Sequence, residues 1–211
     1  MLRTDYHAAL DRTRALVLRL GALCLDSVRS ASRALDRRDA ALAARVVAGD
    51  DEIKTLWRSV EAACIEMIWK QQPVANELRE IAGMLQIVTD LGRIGEHAVE
   101  VAKSAIKLAD VEKKPALDEV DAMAGTAVEM LAGAIRAYDE GSLELADKVI
   151  ARADNIDDHH RLGIATVGSE MEADSMLVAG GTILLFVLAD LERVADRAQN
   201  IAWKTKDIYA P

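Results

Sequence analysis

Two stretches of this chain are versions of one helix: LQIVTDLGRIGEHAVEVA at residues 85–102 and LFVLADLERVADRAQNIA at residues 185–202. Each contains Asp-Leu, an Arg three residues after that Asp, and an acid three residues further on. Apolar residues recur every three or four positions in both, which is the spacing of an α-helix with one buried face. The repetition, 100 positions apart, predicts a duplicated all-α protein.

The repeat extends well beyond these two helices. At an offset of 103 positions several residues are the same in both halves: Asp36 and Asp139, Leu42 and Leu145, Val46 and Val149, Ile53 and Ile156. The fold class is therefore predicted to be all-α, with two tandem three-helix bundles. Residues 1–110 form the first repeat and residues 116–211 the second, joined by the charged segment DVEKKP.

Helical periodicity and end signals predict six long helices. Asp39 and Ser142 are favourable N-cap residues, and Pro73 and Pro115 lie where first turns begin. The predicted helices span residues 3–36, 39–71, 74–109, 116–139, 142–171 and 174–207.

Composition limits the function further. Among 211 residues, 51% are hydrophobic but only 3% aromatic, and the formal net charge is −9. This charge disfavours nucleic acid as a partner, because phosphate binding needs clustered Lys and Arg. Cys24 and Cys64 lack zinc or disulfide spacing and are expected to be buried apolar residues. The N-terminus lacks a secretory signal, and the apolar run 176–189 is shorter than the ~20 residues that span a bilayer, so a cytoplasmic protein is predicted.

Paired acids are the strongest chemical signal. Residues four apart lie on one helix face, so Glu192 projects with Asp196, and Glu96 with Glu100. A hard cation needs about six oxygen ligands, so a neighbouring helix must contribute more. The candidates are acids of helices five and two: Asp154, Asp157, Asp158, Asp50 and Asp51.

Interpretations that involve no bound metal also remain open for these residues and for other candidates. The acids could be solvated and held by helical ion pairs such as Asp190 with Arg193. Asp157 and His160 have the spacing of ferritin-like di-metal sites, but no second such motif is found, which favours surface histidines. Gly180-Gly181 is not a phosphate loop and more simply permits close helix approach. Trp57, Trp69 and Trp203 are expected in the core or facing a partner.

The segments TDLGRIGEHAVEVA, LADLERVADRAQNIA and VIARADNIDD together resemble the PhoU family of phosphate-signalling proteins over nearly the whole chain. The resemblance implies paired three-helix bundles and surface multinuclear sites for iron or other divalent ions. It also implies action with the phosphate ABC transporter and its partner, the phosphate sensor histidine kinase.

Carried over by position, the resemblance assigns Glu192 and Asp196 to the family's acidic pair, and Asn200 to its Asn. Asp157, Asp158 and Asp50 are kept as ligands, and Glu96 remains with the additional Glu100. Three positions depart from the pattern and each removes a ligand: Gly92, Ala153 and Lys54 stand where the family has acids. Lys54 takes the place of the Asp that corresponds to Asp157.

The sequence therefore predicts a non-enzymatic, cytoplasmic, homodimeric regulator of phosphate uptake, peripheral to the membrane at most. It would dock to the transporter ATPase and to the sensor kinase, with divalent or iron-type ions on its carboxylates. The alternatives are a carboxylate-bridged, ferritin-like di-metal oxidase and a metal-free helical adaptor.

Overall fold

In the computed structural model, which describes residues 2–210, the chain is a bundle of helices and these residues include no strand. The first repeat comprises α1 (Leu2–Arg37), α2 (Ala40–Gln71) and α3 (Ala75–Ala109). The second comprises α4 (Asp118–Glu140), α5 (Leu143–Ile150), α6 (Ala153–Ala173) and α7 (Val178–Tyr209), with a 3₁₀ turn at Ser175–Leu177 before α7. The predicted all-α fold of two tandem helical bundles is confirmed.

Both predicted N-caps form. The Asp39 carboxylate accepts a hydrogen bond from the backbone N–H of Leu42 at 2.8 Å. Ser142 Oγ accepts one from the N–H of Leu145 at 3.3 Å. Gly141 ends α4 with a φ of 62°, a left-handed conformation in which the absence of a Cβ is favourable. These local signals set the turns between neighbouring helices.

The prediction of one continuous helix over residues 142–171 is wrong. The chain leaves the helix at Ala151 and Arg152, which separates α5 from α6. The carbonyl of Ile150, at the end of α5, instead accepts a hydrogen bond from the side-chain amide of Gln199 on α7, at 3.4 Å. The carbonyl at the end of α5 is thus satisfied by a residue of a distant helix, and the local sequence gives no signal of this bond.

Helices α3 and α7 lie at the centre and pack against each other in antiparallel fashion. Near one end of the pair, the backbone of Gly83 approaches Ile208, and near its middle His97 meets Asp190. One continuous core surrounds them, including Leu91 and Leu191 at equivalent positions of the two repeats. Because the two repeats share this core, the packing does not mark where one repeat ends. The boundary between residues 110 and 116 stays a prediction.

The segment between the repeats is held closely against α7. A Cβ at Gly180 would lie 2.8 Å from the carbonyl oxygen of Lys113, and one at Gly181 would lie 2.4 Å from the sulfur of Met171. Only glycine fits at these two positions without displacing the neighbours. The Gly-Gly pair therefore allows close approach, as the sequence indicated.

One helical segment, Ser175–Tyr209, is long and apolar enough to meet a length-and-composition test for crossing a membrane, with a window of mean hydropathy 1.7. Core helices of soluble proteins meet the same test. This segment includes α7, which packs against α3, α4, α5 and α6. That packing buries 33% of the apolar window.

Candidate functional sites in the two repeats

The second repeat brings acids of α6 and α7 together with a histidine. His160 Nδ1 lies 2.9 Å from Glu192 Oε1, and both side chains are largely shielded from solvent. Asp157 lies one turn before His160 on α6, and Asp196 one turn after Glu192 on α7. We call these four residues the second-repeat cluster. His160, expected as a surface histidine, keeps 20% of its side chain exposed and pairs with Glu192 in this cluster.

The electrostatics of the second-repeat cluster show mutual repulsion of its carboxylates. The pKa of Asp196 is raised above its ordinary value, first by desolvation and then by the negative charges of Glu192 and Asp157. Arg197 and His160 oppose this shift. A positive charge placed among these oxygens would therefore be stabilised.

The first repeat brings its predicted acids together in a cavity of about 380 Å³ between α2, α3 and α7. We call its lining the first-repeat cluster. It is formed by Asp50, Lys54, Glu96, His97, Val99, Glu100, Lys103, Asp190 and Arg193. The structure brings Asp50 together with Glu96 and Glu100, the pair predicted to share one helix face, and it adds basic residues among them.

Each of these three acids has a cation of its own repeat beside it. Lys54 Nζ lies 2.6 Å from Asp50 Oδ2. Arg93 Nη1 lies 2.7 Å from Glu96 Oε2, and Lys103 Nζ lies 2.7 Å from Glu100 Oε1. The bond to Asp50 raises the pKa of Lys54, so this ammonium stays charged at neutral pH. The first-repeat cluster is neutralised by side chains.

A tryptophan occupies the place that the histidine–glutamate pair has in the second repeat. At the repeat offsets, Trp57 corresponds to His160 and Gly92 to Glu192. A Cβ at Gly92 would lie 2.6 Å from the Trp57 ring, so α2 and α3 approach closely through the bare glycine backbone. Sequence analysis identified Gly92 as a missing ligand; the indole packed against it gives the steric reason.

Other predicted acids are not brought into either cluster. Asp158 pairs with Arg161 at 3.1 Å, and its side chain is 71% exposed. Asp51 and Asp154 are exposed on helix surfaces. His159 turns toward α4, where its Nδ1 lies 3.3 Å from Glu119 Oε2. Of the three candidate acids of predicted helix five, Asp154, Asp157 and Asp158, only Asp157 acts on a carboxylate of α7.

Two polar side-chain pairs cross from α3 to α7, and the residues of one of them, His97 and Asp190, also line the first-repeat cluster. Asp90 Oδ1 lies 3.3 Å from Arg197 Nη1, and Asp190 Oδ1 lies 3.0 Å from His97 Nδ1. These pairs are related by the repeat, since Asp90 corresponds to Asp190 and His97 to Arg197. Asp190 therefore bonds across the repeats, and the prediction that it pairs with Arg193 on its own helix is not what the structure shows. We call these two pairs the inter-repeat seam.

Comparison with known proteins agrees with this duplicated architecture. A model of the PhoU domain matches the chain twice, over residues 17–105 and 120–205. The chain belongs to the PhoU family.

Relatives of known name cover the chain almost fully. A phosphate-specific transport system accessory protein PhoU homolog of Clostridium acetobutylicum is 31% identical over 97% of this chain and 94% of its own length. The accessory protein PhoU of Serratia marcescens is 26% identical over 93% of this chain and 81% of its own length. The crystal structure of PhoU from Pseudomonas aeruginosa superimposes with a TM-score of 0.94, at 28% identity, covering 96% of this chain and 98% of that one.

The two clusters differ in how well they fit the metal ions that a PhoU fold implies. Within residues 2–210, no three His, Cys, Asp or Glu side chains are placed close enough to hold one ion together. In the second repeat the donor types nevertheless fit, because His160 contacts Glu192, and the carboxylates of Glu192 and Asp157 repel that of Asp196. In the first repeat they do not fit, because basic side chains already hold the acids.

Proposed function

We propose that this PhoU chain is a cytoplasmic, non-enzymatic negative regulator of phosphate uptake and of phosphate-responsive two-component signalling. Its family membership over nearly the full chain carries the proposal, since its relatives are named accessory proteins of phosphate transport. It would act by docking to the ATPase of the phosphate transporter and to the sensor histidine kinase, as a homodimer and at most peripheral to the membrane.

Exposed apolar side chains support action by docking. One group lies around the turn between α2 and α3: Ile65, Trp69, Val74 and Leu78. Another lies on α6 and around the start of α7: Leu162, Ile164, Met176, Val178 and Phe186. Trp69 is 79% exposed and Phe186 65% exposed, which is unusual for large apolar side chains and typical of protein-binding surfaces.

We also propose that the second-repeat cluster binds one divalent ion. Asp157, His160, Glu192 and Asp196 would hold it after small side-chain rotations. Desolvation and then carboxylate repulsion raise the pKa of Asp196, and a bound ion would offset the repulsion. The ferritin-like oxidase has no comparable support. It needs a second Asp-x-x-His motif, and the equivalent positions of the first repeat hold Lys54 and Trp57.

The regulatory role is tested by deleting the gene and following a phosphate-responsive reporter in high and low phosphate. We expect reporter expression in high phosphate to rise to at least the level of starved wild-type cells. The control is complementation with the intact gene. Normal repression in the deletion strain, with no paralogue present, would contradict the regulatory proposal.

Docking is tested by measuring the affinity of the purified chain for the transporter ATPase. Trp69→Glu introduces the residue that the second repeat has at the equivalent position 172, and Phe186→Gln introduces the residue at position 86. If these side chains anchor the complex, each change should weaken binding at least tenfold. Gln86→Ala, at another exposed position of α3, should leave the affinity unchanged. Equal affinities for all variants would place docking elsewhere.

A further inference from the structure

We infer that the first repeat is closed to metal ions, with Lys54 and Trp57 standing where ligands would be, so that this chain has one metal centre and not two. This inference rests on the proposed metal binding only for the ion count. The exclusion of metal from the first-repeat cluster is argued from its own side chains and from their correspondence with the second repeat.

The first step concerns the charge at the centre of the cluster. Lys54 is positioned by an i,i+4 bond to Asp50, 2.6 Å long, and the negative charge of Glu96 also acts on its ammonium. A divalent ion bound to Asp50 and Glu96 would have to displace this ammonium or lie beside it. Either arrangement opposes binding, because like charges at such distances repel strongly.

The second step concerns the missing ligands. The imidazole of His160 and the carboxylate of Glu192 correspond to the indole of Trp57 and the bare backbone of Gly92. Trp57 fills the space beside Gly92 so closely that no side chain fits there. The indole N–H is a donor only, so Trp57 offers a metal nothing in exchange. Two of the four ligand positions are thus lost together.

The third step explains why the acids nevertheless remain. The other oxygen of Asp50, Oδ1, is buried and has no hydrogen-bond partner among the described residues. A buried carboxylate of this kind requires a compensating cation, and Lys54 supplies it from within the chain. Asp50 therefore has a compensating partner within the chain that does not depend on a metal ion.

The experiment transplants the second-repeat residues into the first. The chain carrying Glu192→Ala and Asp196→Ala, which disables the second-repeat cluster, is compared with the same chain also carrying Lys54→Asp, Trp57→His and Gly92→Glu. Bound Mn²⁺ per chain is measured by equilibrium dialysis and by the EPR signal of the free ion, with circular dichroism to check folding.

We expect the disabled chain to bind no Mn²⁺ and the transplanted chain to bind one ion per chain. Lys70→Asp is the matched control, because Lys70 makes the same i,i+4 pair with Glu66 on the same helix outside the cluster. It should add no binding. If the triple transplant fails to fold, Lys54→Asp alone is measured, for which we expect weaker but detectable binding.

Three results separate the outcomes. Mn²⁺ retained by the disabled chain and lost on adding Glu96→Ala would overturn the inference, because the first repeat would then bind metal. If the transplanted chain folds but binds no more Mn²⁺ than the disabled chain, the roles assigned to Lys54 and Trp57 would be overturned. If the wild-type chain binds no Mn²⁺ but the transplanted chain binds one ion, metal binding by the second repeat would be refuted. The closed first repeat would then be supported.

Discussion

The first-repeat and second-repeat clusters occupy equivalent places in one duplicated fold, but they differ in what offsets the repulsion between their carboxylates. The first repeat surrounds its acids with Lys54, Arg93 and Lys103 and fills the remaining space with Trp57. The second repeat leaves Asp157, Glu192 and Asp196 with an imidazole beside them and a raised pKa at Asp196. The comparison teaches that repeat symmetry predicts where a site lies but not what it binds.

The largest expected effect on stability comes from replacing Gly92 of the first repeat with the glutamate that the second repeat has at the equivalent position. Gly92→Glu places a side chain 2.6 Å from the Trp57 ring and should lower the free energy of unfolding by about 2–3 kcal/mol, since overpacked cores cost this much. Thermal unfolding should shift down by roughly 4–12 °C. Adding Trp57→His should restore most of the loss; a Gly92→Glu chain of unchanged stability would show that the indole moves freely.

The inter-repeat seam gives the next largest effect. Arg197→Ala leaves the buried Asp90 carboxylate without its cation, and burial already raises the pKa of Asp90. The loss should be about 1–2 kcal/mol at pH 7, measured by urea unfolding. It should shrink in acid, as Asp90 becomes protonated. Arg197→His, which copies His97 of the other seam pair, should retain more stability at pH 6 than at pH 8. A loss that does not depend on pH would assign the role of Arg197 to packing.

The buried thiols allow a smaller test. Cys24 and Cys64 lie where the second repeat has Ala127 and Val167, and all four are buried. Burial raises the pKa of Cys24 to about 12 and that of Cys64 to about 11, so both should resist a thiol reagent until the chain unfolds. Cys64→Val, copying the second repeat, should cost less than about 1 kcal/mol. Rapid labelling of the folded chain would contradict this packing.

The smallest effect concerns Asp196. Because the fold raises its pKa, the folded chain holds a proton more tightly than the unfolded chain, and the ionised carboxyl destabilises the fold at pH 7. Asp196→Asn should therefore raise the unfolding temperature at pH 7 by on the order of 1 °C, since solvent screens the exposed group. The difference should shrink as the pH falls through the raised pKa of Asp196 and vanish below the ordinary Asp pKa of 3.8. Glu96→Gln, which removes a bond to Arg93, should slightly lower stability instead.

Much of the fold could be predicted because its signals are local. Apolar spacing located the long helices, and the caps at Asp39 and Ser142 marked two of their starts. The break at Ala151 and Arg152 could not be predicted, since the equivalent Ala48 and Gly49 continue an unbroken helix. The break coincides with the bond that Gln199 makes from a distant helix.

The site divides in the same way. Pairs on one helix, such as Glu192 with Asp196, follow from helix geometry and were predicted. Partners on different helices, such as His160 with Glu192, depend on how helices pack and were missed. The repeat offset held a signal for some of them: His97 and Arg197 occupy equivalent positions, and each bonds to the Asp of the opposite repeat.

The antiparallel packing of α3 and α7 has a consequence for how such a protein can diverge. The first-repeat cavity is walled partly by Asp190 and Arg193, so the second half of the chain completes the surroundings of the first-repeat cluster. Two separate copies of a single repeat, assembled about a twofold axis, could form the same bundle, but every substitution would then appear in both sites at once. Joining the repeats in one polypeptide removes that constraint. A lysine at position 54 and an aspartate at position 157 can coexist only because the two halves are encoded separately and fold as one.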